Sequence, residues 1–197
     1  MDSRNTESAG LISPWESASD NKLNIENELQ KELCEKHILF RVKAETIGRR
    51  VDRDDYLFFL PDYAYKFAVV HLTWSGRPEK DEHWPTTKVY SDLEEWKVKC
   101  MVKDYLDYAD EINTFKALRA NRRTGTEVAL FGDNYPNIKP GNYIMSTLNT
   151  DIVFKVKGIE VLNYIDKSQN HINPWIIVES NKLLPEDFIN TEFYIIS

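Results

Sequence analysis

Cysteine is nearly absent from this chain. Cys34 and Cys100 are the only two in 197 residues, too few for a disulfide framework or a zinc cluster. Glycine is sparse, seven in all. Residues 1–123 hold no Gly-rich loop ending in Lys-Ser/Thr, so no grip on a nucleotide is expected, and no cofactor. No apolar run approaches the roughly 20 residues of a membrane helix. The opening MDSRNTESAGLISPWESASD has no apolar core of signal-peptide length. These absences predict a soluble, cytoplasmic protein without a membrane partner. Basic excess is missing too. Residues 1–114 carry 16 Lys+Arg against 23 Asp+Glu, a net −7, and the remainder carries 9 against 9. Phosphate neutralisation needs the opposite balance. Ribosome or RNA contact is therefore disfavoured by charge, although a local basic stripe fits inside a neutral domain.

What is present suffices for one or two hydrophobic cores: 42% apolar residues and 12% aromatics. Residues 1–21 are rich in Ser, Asp, Glu and Asn and read as a disordered tail, with Trp15 the one residue able to dock it. Ile25, Leu29 and Leu33 form a single stripe at helical spacing. From Phe40 the period becomes two, with Phe40, Val42 and Ala44 alternating with charged residues as in a half-buried strand. Residues 56–60 (YLFFL) and 66–74 (KFAVVHLTW) read as further strands, the latter central because both its faces are apolar. Ser91-Asp92-Leu93-Glu94 has the form of a capping box and opens a helix carrying Leu93, Trp96 and Cys100. The division expected is a tail at 1–21, an α+β domain at 22–110 (an antiparallel sheet with two helices), a linker at 111–123 and an all-β barrel at 124–197.

Beyond residue 124, short candidate strands alternate with turn signals, as in a barrel or sandwich: 127–131, 143–146, 152–162, 175–179 and 192–196. Ile138-Lys139-Pro140-Gly141-Asn142, Gly158-Ile159-Glu160 and Pro185-Glu186-Asp187-Phe188-Ile189 follow in order. This ordered set resembles the second-domain β-barrel of elongation-factor-type translation GTPases, over about 70 residues. The resemblance implies a closed barrel that binds without transforming its ligand; in that family it contacts ribosomal RNA or the aminoacyl end of tRNA. The departures are Asn142 in place of the family's usual acid and Glu179-Ser180-Asn181-Lys182 where an exposed Arg-Gly turn is common, which weakens the carry-over of RNA contact. Gly141 and Gly158 are expected where a turn needs positive φ or where backbones approach closely.

Candidate chemistry is thin. His71, mid-strand, is either a general base or a satisfied core or interface histidine; no Ser, Cys or Asp is placed by spacing as its partner, which favours the second. Asp81-Glu82-His83 offers metal-ligand types, but as adjacent residues in a polar loop. The run Arg49–Asp55, with Asp52, Asp54 and Asp55, offers an acid–base pair, an anion site or a solvated turn. Cys34 and Cys100 read as packing residues. Trp74 and Trp84 bracket a loop and either form an interaction surface or close the core beneath it.

The reading that follows is a non-catalytic macromolecule-binding protein with a basic protein as partner, steered by the acidic first domain. An immunity-type protein and a ribosome- or factor-associated accessory protein are its two versions. Asp52, Asp54, Asp55, Trp74 and Trp84 are the expected binding residues. The alternative is a hydrolase using His71 with the acids of the Asp52–Asp55 run (Asp54 and Asp55 foremost) or of Asp81–His83, which requires those groups to converge.

Overall fold

The computed structural model describes residues 10–110, 113–133, 138–148, 152–161, 174–180 and 191–196. The chain divides into two compact units, Met1–Tyr108 and Ala109–Ser197. The fold is α+β: an antiparallel five-stranded sheet with two helical segments, then a closed six-stranded antiparallel barrel. Among the described residues no helix is long and apolar enough to cross a membrane.

In the first unit the strands β1 (Trp15–Ser17), β2 (Glu45–Arg50), β3 (Asp55–Phe59), β4 (Phe67–His71) and β5 (Thr86–Tyr90) lie side by side in chain order. Helix α1 (Lys22–Glu32) buries the predicted stripe of Ile25 and Leu29, with Leu33 at its C-cap. They pack with Tyr56, Phe58, Leu60, Ala68, Val70 and Leu72. These sheet residues alternate, as one face of a pleated sheet must. Leu57, between two of them in sequence, is fully buried on the other face.

The second helical segment runs through α2 (Leu93–Trp96), a π-helical turn (Lys97–Met101) and α3 (Val102–Tyr108). Its cap falls one residue later than predicted. The Asp92 side chain accepts the Glu95 N–H, and the Glu95 carboxylate accepts the Ser91 N–H.

Three expectations for this unit are corrected. Residues 40–41 lie in a turn and 42–44 are irregular; Phe40, Val42 and Ala44 are partly buried against the core without pairing, and the strand begins at Glu45. Residues 15–17, placed in the tail, are an edge strand antiparallel to β2, and Trp15 is buried edge-on to Trp96. Residues 1–9 lie outside the described residues. The central strand is β3, and β4 stands beside it.

The barrel strands are β6 (Thr114–Arg122), β7 (Glu127–Asp133), β8 (Tyr143–Ser146), β9 (Val153–Val161), β10 (Pro174–Ser180) and β11 (Glu192–Ile196). Around the barrel they run β10-β7-β6-β11-β8-β9, and β9 pairs with β10 to close it. The segment read as a linker thus contributes the first barrel strand. Phe115 and Ala117 face the core, while Lys116 and residues 121–122 face outward, and this polar half concealed the strand. Phe115, Phe154 and Phe193 stack at the core, the last pair edge to face at 5.6 Å. The turn expected at 185–189 lies outside the described residues.

Gly141 has φ +96°, the positive value its turn requires. Gly158 does not share that role: its φ is ordinary and a Cβ there would meet nothing within 4 Å. The close approach falls instead at Gly132, where a Cβ would stand 1.9 Å from the Lys116 carbonyl oxygen and 2.7 Å from the Phe115 ring. Gly132→Ala is therefore expected to lose at least the ~1–3 kcal/mol typical of overpacking, while Gly158→Ala stays near wild type. Urea unfolding of the two variants followed by circular dichroism checks the contrast; equal midpoints would contradict it.

Candidate functional site

The charged run at 49–55 is not one cluster. The strand end and the turn after it send its members in different directions. Arg49 reaches outward to Glu16, 2.6 Å away. Arg50 turns inward, its side chain only 3% exposed. Its Nε and Nη2 donate to both oxygens of Asp52 at 2.9 Å, and its Nη1 to Asp104 at 2.7 Å. Asp104 also accepts the Trp15 indole N–H at 2.8 Å and the Cys100 thiol at 3.2 Å. Burial opposes charge on Arg50, but the two carboxylates more than compensate and hold its pKa up. Burial raises the Asp52 carboxyl, and the Arg50 guanidinium outweighs it, leaving a net lowering. Asp52 is thereby committed to holding the fold together.

Burial and the neighbouring Asp104 push the Cys100 thiol up to about 12, so it holds almost no thiolate near neutrality.

Asp54 and Asp55 do different work. The β3–β4 register sets Asp55 opposite His71, and the β4–β5 register sets His71 opposite Thr86. His71 Nδ1–H donates to Asp55 Oδ1 at 2.8 Å. The His71 ring meets Trp84 nearly edge-on at 6.4 Å. Asp54 accepts the Trp74 indole N–H at 3.1 Å, and Trp74 packs edge-on to Tyr56 at 6.0 Å. Trp74 takes φ +55°, a left-handed value that costs a non-glycine residue about 1 kcal/mol or more. Trp74 remains 45% exposed and Trp84 42%. One end of the sheet therefore carries two contact groups, Trp74 with Asp54 and Tyr56 on one side, and Trp84 with His71 and Asp55 on the other. Asp55, one of the acids named for the alternative reading, is the partner, but spacing could not single it out because the pair lies sixteen residues apart and meets only through hairpin register.

His83 stands apart from this group. Its ring and its backbone N–H both bond Asp81, in an exposed loop. The hydrogen bond it donates to the Asp81 carboxylate raises the His83 pKa. Among the described residues no group of three or more His, Cys, Asp or Glu is placed to hold a metal ion. Cys34 is half-buried.

His37, which the sequence reading passed over, is buried. Its Nε2–H donates to the Pro85 carbonyl at 3.0 Å, and its Nδ1 accepts the Leu39 N–H at 3.0 Å. It fixes the chain just after Trp84.

No protein-family model, curated protein or solved structure matches the chain. The likeness of its carboxyl-terminal sequence to a translation-factor barrel therefore rests on the motifs alone.

Desolvation lowers the His37 pKa, and the Pro85 carbonyl offsets only part of that. The unfolded chain, titrating near 6.5, takes up its proton first as pH falls. The contribution of His37 is thus complete above pH ~6.5 and is lost as pH drops toward the folded value. The thermal midpoint of wild type minus that of His37→Gln should shrink between pH 7 and 5.5. A constant difference would contradict this assignment.

Proposed function

We propose that the protein is a non-catalytic binding protein whose amino-terminal unit receives a basic protein partner on the end of the sheet around Asp54, Asp55, Trp74 and Trp84. The observation that carries this reading is the pair of exposed indoles, each in contact with an acid or an acid-bonded imidazole. Tryptophan supplies large contact area at interfaces, and its ring face attracts ammonium and guanidinium groups. The net charge of −7 in residues 1–114 favours encounter with a basic surface. Asp52, occupied by Arg50, takes the supporting role. An immunity-type protein that blocks a basic toxin is the version this charge favours. A ribosome- or factor-associated accessory protein acting through the barrel in the cytoplasm is the other.

Tagged protein is to be used for capture from its native cells at low and at high salt. One basic protein should be recovered at low salt only. Its affinity for purified Trp74→Gly or Asp54→Asn/Asp55→Asn protein should fall about 30-fold, the weight of one hot-spot residue of ~2 kcal/mol. Ribosomal subunits recovered through the isolated interaction of the barrel would select the accessory version. Capture indifferent to salt and to those substitutions would overturn the acidic-face reading.

The hydrolase reading has one observation in its favour, the 2.8 Å bond from His71 to Asp55. Such a carboxylate orients an imidazole as a general base. Among the described residues Asp55 is the one hydrogen-bond partner of that ring, so water would serve as the nucleophile. Turnover of a panel of activated esters and phosphoesters that disappears in His71→Gln would support it. Absence of turnover, or turnover that survives the substitution, would end it.

A further inference from the structure

Glu28 and Glu32 are badly placed for the helix that carries them. Like charges at i, i+4 repel. Both lie in the second half of α1, toward the negative end of the helix dipole, where anions are disfavoured. Both are buried, Glu32 completely. Three local rules are broken at once, which points to a gain made elsewhere.

The gain lies in the segment after β4. Glu32 Oε2 accepts the Thr73 N–H at 3.0 Å, and its Oε1 accepts the Ser75 N–H at 3.2 Å. Glu28 Oε1 accepts the Gly76 N–H at 2.7 Å, while its Oε2 takes Lys31 Nζ at 3.1 Å. The Glu32 carbonyl accepts the Glu79 N–H at 2.8 Å. Two residues of this segment, Trp74 and Gly76, have positive φ, +55° and +65°. Backbone in such conformations turns successive N–H groups toward one point and makes an anion receptor. Here the anions are internal. The left-handed Trp74, otherwise unexplained for a bulky residue, lies between the two N–H groups that Glu32 holds. Its indole is thereby delivered to Asp54 and Tyr56.

We infer that Glu28 and Glu32 are positioning residues for Trp74: their carboxylates fill a receptor of backbone N–H groups and hold the indole in its exposed pose. The inference draws on the binding reading only for the purpose of that pose. The geometry itself concerns the unbound protein.

The test uses the full chain labelled with 5-fluorotryptophan and read by fluorine NMR, with the Trp74 signal assigned by its loss in Trp74→Gly. In Glu32→Ala the Trp74 signal should shift or broaden while the Trp15 and Trp96 signals stay in place. Formate should restore it, at an ionic strength where chloride does not. Glu32→Gln should show the same shift without rescue, because its amide fills the space and sets N–H against N–H. An unmoved Trp74 signal in Glu32→Ala, with unchanged hydrogen exchange at Thr73 and Ser75, would overturn the inference. So would a shift that formate leaves untouched. If Glu32→Ala also loses the Trp15 and Trp96 signals, Glu28→Ala decides in the same way, through the Trp74 signal and exchange at Gly76. A responsive Trp74 signal in a protein that captures no basic partner would sink the binding reading and leave the clamp standing.

Discussion

A buried charge must be met by partners, and the amino-terminal unit is organised around that constraint. Among its described residues three charged side chains lie inside it: Arg50, Glu28 and Glu32. An uncompensated ion in such a place costs several kcal/mol even after relaxation. Arg50 is met by two carboxylates, one from the turn after its own strand and one from α3. The two glutamates are met by backbone N–H groups and a lysine. Each solution ties together elements distant in sequence. Arg50 and Asp104 bind β2 to α3, and Trp15 joins β1 to the same carboxylate. Glu32 binds α1 to the segment leaving β4. The apolar core is non-directional, so these charge-assisted bonds determine where the surface segments stand.

The surface that results is built from both sides of the sheet's end. Trp74 rests on Tyr56, which belongs to the face covered by α1. Trp84 rests on His71, which belongs to the opposite face. Asp54 and Asp55, consecutive residues, divide between the two sides: Asp54 bonds the Trp74 indole, and Asp55 bonds the His71 imidazole. Groups held in place this way would lower the ordering cost of the proposed association. The His37 bonds to Pro85 and Leu39 extend that rigidity to the chain after Trp84.

Much of the fold is legible in the residues, and the failures have physical causes. The α1 stripe, two of the sheet strands (β3 and β4), the helix after Ser91 and five barrel strands follow from periodicity and turn signals. Phe40, Val42 and Ala44 mimic a strand because an irregular segment packed on a core also alternates apolar and polar positions. Thr114–Arg122 hides because half of that strand faces outward, with Lys and Arg on it. The candidate site is harder to read. Asp55 and His71 meet through register, which spacing alone does not supply. Glu28 and Glu32 pass for the solvated face of an amphipathic helix, since the segment that buries them arrives forty residues later. Nothing in the identity of Trp74 announces a left-handed backbone, a conformation expected of glycine.

The strand order of the barrel bears on when each unit is finished as the chain is made. In the first unit β2 to β5 pair as successive neighbours, so those hairpins form from nearby residues soon after each is synthesised. In the second, β6 pairs with β11, the earliest barrel strand with the latest. Closure must await the arrival of β11, and until then β6 and β8 each present an unpaired edge suited to wrong partners. The amino-terminal unit reaches its native contacts on its own schedule, and the barrel carries the exposure to aggregation during synthesis.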